Sequence, residues 1–91
     1  MRGQRLALTY APLDAGAHVA FAIPRKVGGA VVRNRARRRI RAVLDERARR
    51  GALRSGVYLV HVPASLDDVD ASALRADVDR LLRTLDTRVN R

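Results

Sequence analysis

Hydrophobic and polar positions in this chain repeat first with a period of two and later with a period near 3.6. Leu6, Leu8 and Tyr10 fall on one face of a strand over residues 6–11, and Val19, Phe21 and Ile23 on one face of a second strand over residues 18–23. Pro12-Leu13-Asp14-Ala15-Gly16 between them is turn chemistry, so the two strands are expected to form a hairpin. Pro24 has no N–H to give to a sheet ladder and ends the second strand. Gly28-Gly29 then break the pattern. From Ala30 to Arg50 there is neither Gly nor Pro, and Val32, Ala36, Ile40, Val43, Leu44 and Ala48 recur at steps of three and four, which predicts a long amphipathic helix. Residues 57–62, Val-Tyr-Leu-Val-His-Val, are almost continuously apolar, the pattern of a central strand covered on both faces. Pro63 stops it. Asp68 or Asp70 can cap a final helix whose stripe is Leu74, Val78, Leu81, Leu82 and Leu85, and residues 86–91 are expected to fray. The predicted order is β-β-α-β-α, a small α+β two-layer sandwich without internal repeat or linker.

Composition sharpens this picture. Aromatic residues make up 3% of the chain against 47% hydrophobic residues, so Val, Leu, Ile and Ala must fill the core. A chain of 91 residues buries only about 60–65% of its unfolded surface, which leaves little room for a deep substrate pocket. With no cysteine there are no disulfides and no thiolate zinc site, and a reducing cytoplasm is the compartment that fits. No apolar stretch approaches the roughly 20 residues of a membrane span, and Met1-Arg2-Gly3-Gln4-Arg5 leads into alternation rather than a signal-type apolar block. Neither a membrane partner nor export is expected.

Charge changes the picture most. Nineteen Lys and Arg stand against nine Asp and Glu, a net charge of +10. Between Arg25 and Arg50 there are eleven basic residues and two acidic ones, Asp45 and Glu46, so that segment carries +9 and the remainder +1. A solubility charge spreads over a surface, whereas a charge that reads a polyanion concentrates on one element. At about 100° per residue Asn34, Arg35, Arg38, Arg39 and Arg41 fall away from the Ile40 stripe and Arg37 borders it, making a ridge suited to phosphates. Arg33 points nearer the apolar side but lies in the first turn, within reach of the sheet edge. Arg37, Arg38 and Arg39 in succession have few acids nearby to relieve their repulsion, a burden that an external polyanion offsets. Gly28-Gly29, beside Arg25 and Lys26, suit either a simple turn or a close approach of backbone amides to a phosphate.

The chain offers no catalytic constellation of its own. His18 and His61 are isolated strand residues, and the basic segment holds only Asp45 and Glu46. Asp67, Asp68 and Asp70 have the composition of a metal cluster, but helix capping accounts for them more simply. No catalytic residue, metal ligand or protein-bound cofactor is therefore assigned, and a nucleic-acid-binding protein is favoured over a stand-alone nuclease.

The stretch Arg25-Lys26-Val27-Gly28-Gly29-Ala30-Val31-Val32-Arg33-Asn34-Arg35-Ala36-Arg37-Arg38-Arg39-Ile40-Arg41 closely resembles the signature of the bacterial ribonuclease P protein. It combines a basic pair at a strand end, Val-Gly, Ala-Val, an Arg-Asn-Arg core, two basic residues and a final Arg at fixed spacing. The flanking strands and the Leu-rich last helix extend the resemblance over nearly the whole chain, as one ribonuclease P protein-like domain over residues 1–91.

The resemblance implies the protein subunit of an endoribonuclease that removes the 5′ leader from precursor tRNA and leaves a 5′ phosphate. The RNA subunit carries the chemistry, the protein alone is inactive, and Mg2+ is expected only with the RNA-containing holoenzyme. It also implies that Arg33, Asn34, Arg35, Arg37, Arg38 and Arg41 face the catalytic RNA, supported by Arg25 and Lys26. A cleft on the sheet beside the helix is implied for the single-stranded leader, with Leu8, Tyr10 and Phe21 as candidate platform residues, although Phe21 also suits the core. The implied fold is that of the second domain of ribosomal protein S5, with a left-handed β-α-β crossover. The chain departs from the family pattern at Gly29, where Asn is usual, and at Ala42, where an acid or amide often stands. It is also expected to lack the family's usual N-terminal helix, which carries two aromatic residues beside the leader cleft. The alternative is a ribosomal or other structural RNA-binding protein, which would share size, charge and fold.

Overall fold

The computed structural model describes residues 1–89. Its elements are β1 (Ala7–Ala11), β2 (Ala17–Ala22), one turn of 3-10 helix at Arg25–Val27, α1 (Ala30–Arg49), β3 (Gly56–His61) and α2 (Ala71–Val89). The predicted order of elements is the observed one, and the architecture is α+β with one three-stranded sheet and two helices. No helix among the described residues is long and apolar enough to cross a membrane.

The expected β1–β2 hairpin does not form. β3 lies between them, antiparallel to β1 with Leu8 opposite Val60, and parallel to β2 with Phe21 opposite Val60. The turn chemistry of residues 12–16 is real, but this connection carries the chain past the width of β3 instead of folding it back on its neighbour. The most apolar strand takes the centre, where both of its edges are hydrogen-bonded. Gly56 N–H donates to the Gly16 carbonyl at 3.0 Å and fixes the start of the parallel pair.

Nor is β3 covered on both faces. Tyr58 and Val60 are buried, while Val57 is exposed and Leu59 half-buried. One face of the sheet, carrying Leu8, Tyr58 and Val60, packs with Ile40 and Leu44 of α1 and Val78, Leu81, Leu82 and Leu85 of α2 in a single cluster. The helices share that face because each has one apolar stripe to bury. The opposite face, including Thr9, Ala20, Val57, Leu59 and His61, has no helix against it among the described residues.

In α1 the buried positions are Ala36, Ile40, Val43 and Leu44, and Ala48, expected in the stripe, is exposed in the last turn. The helix ends one residue earlier than predicted, with Arg50 as its C-cap. In α2 all five predicted stripe residues are buried. Asp70 rather than Asp68 caps it, its Oδ1 accepting the Ala73 N–H at 2.7 Å. The expected fraying from Asp86 is not seen as far as Val89, because buried Leu85 and the Arg54–Asp86 ion pair hold the last turns. Residues 90 and 91 of that expectation lie outside the described residues.

One polar group is buried with the core. Asp77 on α2 is 2% exposed, and its carboxylate accepts the backbone N–H groups of Gln4 at 2.5 Å, Arg5 at 3.1 Å and Leu6 at 2.9 Å. Residues 1–6 thereby fold back beside β1, where Leu8 N–H donates to the Met1 carbonyl and Arg2 bridges Ala7. Gly3 is required at this crossing, since a Cβ there would collide with the Asp77 carboxylate. A buried carboxylate with three charge-assisted donors is satisfied, and removing it strands those donors. Asp77→Ala is expected to lower the unfolding free energy by about 2–4 kcal/mol, and Asp77→Asn by about half as much, in urea denaturation. A loss below about 0.5 kcal/mol for Asp77→Ala would show the clamp to be dispensable.

Tyr58 is fully buried and donates its hydroxyl to the Arg54 carbonyl at 2.7 Å. Burial first, then the neighbouring Tyr10, pushes its pKa from 10.0 up to about 12. The folded state thus favours the neutral phenol, a stabilisation fully present below the unfolded pKa and lost as pH rises toward the folded one. Stability is expected to fall between about pH 10 and 12, and Tyr58→Phe should flatten that part of a urea-midpoint profile against pH.

Candidate RNA interface

The site is built from the end of β2 onward. Pro24 terminates the strand, residues 25–27 make one tight turn with Val27 buried and Arg25 and Lys26 exposed, and Gly28 turns the chain into α1. Gly28 has φ +154°, and a Cβ there would lie 2.8 Å from the Val32 Cβ, so the close packing of the turn on the helix requires glycine. Gly29 is the N-cap and supplies no side-chain hydrogen bond, and the first turn holds no acid. The positive end of the helix dipole is therefore left uncompensated beside Arg25 and Lys26.

Along α1 the exposed stripe is Val31, Asn34, Arg35, Arg38, Arg41 and Ala42, which places most of the predicted ridge in solvent. Val31 is 74% exposed at its beginning, an apolar surface residue not singled out from the sequence because it sits within a run that reads as core. Arg37 is half-buried and donates to Asn34 Oδ1 at 2.6 Å, which orients the amide within the Arg-Asn-Arg core. Arg41 lies over the Phe21 ring with its guanidinium carbon 5.5 Å from the centroid, a cation–π contact that pins the charge at the edge of the sheet. Arg33 is half-buried, and its Nε is enclosed without a hydrogen-bond partner. That fits its angular position near the apolar side.

The other flank of α1 is tied down. Arg39 donates to the carbonyls of Leu66 at 2.6 Å and Val69 at 2.5 Å, fastening the helix to the segment before α2. The helical wheel puts Arg39 on the ridge because it cannot show which loop returns to that flank. Arg35 forks onto Asp67 through Nε at 3.1 Å and Nη2 at 2.9 Å, with both side chains about half exposed. Among the described residues this is the one acid pairing of the eight basic residues between Arg25 and Arg41. Farther along the chain pairing is commoner: Arg47 pairs with Asp79, Arg50 and Arg75 with Glu46, and Arg54 with Asp86. Among the described residues, positive charge without an acid partner is densest on the first half of α1 and the turn before it, although Arg2, Arg5, Arg49, Arg80, Arg83 and Arg88 are also without one.

The leader-platform residues lie elsewhere than expected. Leu8 is 4% exposed within the core, and Tyr10 and Phe21 are half-buried on the same helix-covered side. The two-residue period that joins Leu8 and Tyr10 to Leu6 carries them to the face the helices cover, so Leu8 cannot serve as a platform. Tyr10 meets Tyr58 edge to face at 5.1 Å and donates its hydroxyl to the Ser55 carbonyl. Of the acids considered for a metal, Asp67 engages Arg35 and Asp70 caps α2. No group of three potential metal-ligating side chains occurs among the described residues.

Comparison with known proteins agrees with this geometry. The family model described as Ribonuclease P matches residues 1–86. The ribonuclease P protein component of Beutenbergia cavernae is 41% identical over 86 residues, a match covering 92% of this chain and 71% of that protein. A match of this extent, on a chain that carries the basic Arg33–Arg41 motif on an exposed helix, shows that the protein belongs to the bacterial ribonuclease P protein family.

Proposed function

We propose that this family member serves tRNA 5′ processing by binding rather than by chemistry: its α1 ridge docks on the catalytic RNA of ribonuclease P, and the RNA cleaves the precursor. The observation that carries this reading is the division of charge. Among the described residues, seven of the eight basic side chains from Arg25 to Arg41 have no acid within ion-pair distance, against four of the eight from Arg47 to Arg88. Releasing counterions from RNA phosphates favours binding by such a surface. Arg25, Lys26, Arg33, Asn34, Arg35, Arg37, Arg38 and Arg41 form the RNA contact, with Arg39 holding the helix in place rather than touching RNA. The engagement of Asp67 by Arg35 and of Asp70 by the start of α2 supports the reading that any Mg2+ of the holoenzyme is held on the RNA side. The precursor's single-stranded 5′ leader runs over the open sheet face. The parallel β2–β3 pair joined by α1 supports the likeness to the second domain of ribosomal protein S5, with β2–α1–β3 as its crossover. The cysteine-free composition suits action in the cytoplasm.

Purified protein is expected not to cleave precursor tRNA, while protein and catalytic RNA together at low magnesium yield a mature tRNA with a 5′ phosphate. Robust cleavage by protein freed of RNA would overturn the reading. Replacing Arg37, Arg38 and Arg41 by Ala is expected to leave thermal stability close to that of the parent, since Ala favours helix and mutual repulsion is relieved. Affinity for the catalytic RNA should fall at physiological salt, and the slope of log K against log salt should become shallower by roughly 2–3 units if three phosphates are lost. The triple Ala variant of Arg75, Arg80 and Arg83 is the charge-matched control. An equal change of slope in both variants would assign the interaction to net charge instead of to the ridge.

A further inference from the structure

Cations outside the α1 ridge gather on a second surface. The acids of α2 are one-sided: at about 100° per residue Asp79 and Asp86 share a flank, where they pair with Arg47 and Arg54. The remaining acid of the helix, Asp77, is buried and commits its carboxylate to backbone N–H groups. The flank of α2 turned away from α1 is therefore left without an exposed acid. It carries Arg80 and Arg88, with Arg83 on its outer border. All three are exposed, with no acid within ion-pair distance among the described residues.

The Asp77 clamp adds to this flank. By holding the N–H groups of Gln4, Arg5 and Leu6 it lays the N-terminal segment against α2 one turn before Arg80. Arg2 and Arg5 of that segment are likewise exposed and unpaired among the described residues. From the clamp to Arg88 the stripe runs about 16 Å along the helix. It lies toward the β1 edge of the sheet, against which α2 packs, whereas the α1 ridge lies toward the β2 edge, where Arg41 covers Phe21. Between the two stands the seam of paired charge made by Glu46, Arg47, Arg75 and Asp79. A polyanion that follows α1 meets this neutralised seam before it can reach the far flank of α2.

The chemistry of this flank fits the backbone of a double helix. None of its exposed side chains is aromatic, so it cannot stack unpaired bases, the usual grip on single strands. None is large and apolar, as insertion into a lipid surface requires. Beside the arginines stand Ala76 and Thr87, exposed and small enough to let a rigid duplex come close. Double-stranded RNA is recognised by such contacts, through its shape, phosphates and 2′-hydroxyls. We infer that Arg2, Arg5, Arg80, Arg83 and Arg88 form a second RNA-binding surface, which takes a double-helical segment of an RNA other than the catalytic RNA while α1 holds the latter. The inference rests on the proposed docking of α1 and adds to it a partner held at the same time.

The test uses the equimolar complex of the full chain with its catalytic RNA. The probe is a labelled RNA duplex of about 16 base pairs and unrelated sequence, followed by fluorescence anisotropy at physiological salt. The complex is expected to bind the probe where the catalytic RNA alone does not. Replacing Arg80, Arg83 and Arg88 together by Ala should weaken probe binding about tenfold and make the slope of log K against log salt shallower by roughly 2–3 units, while replacing them by Lys keeps the slope. Both variants should melt, and bind the catalytic RNA, as the parent does. Equal probe binding by the parent and the Ala variant overturns the inference, as does a parent complex that ignores the duplex or prefers a single strand of the same length or vesicles of anionic lipid. Release of the catalytic RNA by the probe overturns it too, since one surface would then serve both, and so does an Ala variant whose affinity for the catalytic RNA falls as far as its affinity for the probe. Failure of the parent to bind the catalytic RNA overturns the proposed function instead. The second surface is then judged on the free protein carrying Arg37→Ala, Arg38→Ala and Arg41→Ala, which should bind the duplex and lose it when Arg80, Arg83 and Arg88 are also replaced by Ala; no such loss overturns the inference.

Discussion

The parallel pairing of β2 with β3 is the constraint from which the arrangement of this protein follows. Parallel neighbours cannot be joined by a tight turn, because the chain must return to the far end of the sheet before starting the second strand. Here α1 makes the return, and its 20 residues span about 30 Å. The helix must therefore begin at the end of the sheet where β2 finishes. β3 also finishes there, and the antiparallel β1 begins there. One topological requirement gathers Arg25, Lys26, the first turns of α1, His61 and the clamped N-terminal residues at one end of the molecule.

Much of this was legible in the sequence because it depends on local periodicity. The α2 stripe from Leu74 to Leu85 is buried as predicted, and the wheel of α1 separates Ile40 from Arg38 as the structure does. What local pattern cannot encode is which strand lies beside which. The residues between β1 and β2 suit a hairpin as well as a step past β3, and the apolar run Val57–Val62 suits a strand covered once or twice. Both expectations failed for that reason, and with the second went the placing of Leu8 as a leader platform. The tertiary roles of Asp77 and Arg39 were also invisible, since their partners lie 71–73 and 27–30 residues away. Their types gave a faint signal: an acid between Leu74 and Val78 on the buried side of a helix needs a partner, and Asp77 found three.

Ion pairing is uneven along α1. Toward the C-terminal end the acids of α2 and the helix itself neutralise Arg47, Arg50 and Arg75, so that the helix pair is held together by a network as well as by the core. Toward the N-terminal end the one ion pair among the described residues is that of Arg35 with Asp67. A half-exposed ion pair of that kind contributes little to stability, about 0–1 kcal/mol. Arg35 can therefore exchange a carboxylate for a phosphate at small cost, unlike Arg39, whose two carbonyl partners would be stranded.

The strand order leaves the outer edge of β2 without a ladder partner among the described residues. Its sequence, Ala-His-Val-Ala-Phe-Ala, has no Lys, Asp, Glu or Pro to deter a second copy from adding there. Colloidal behaviour then rests on repulsion between molecules of charge +10, a force whose range shrinks from about 10 Å at 0.1 M salt to about 3 Å at 1 M. The ionic strength that strips RNA from such a protein is thus also the condition under which its bare sheet edges can meet.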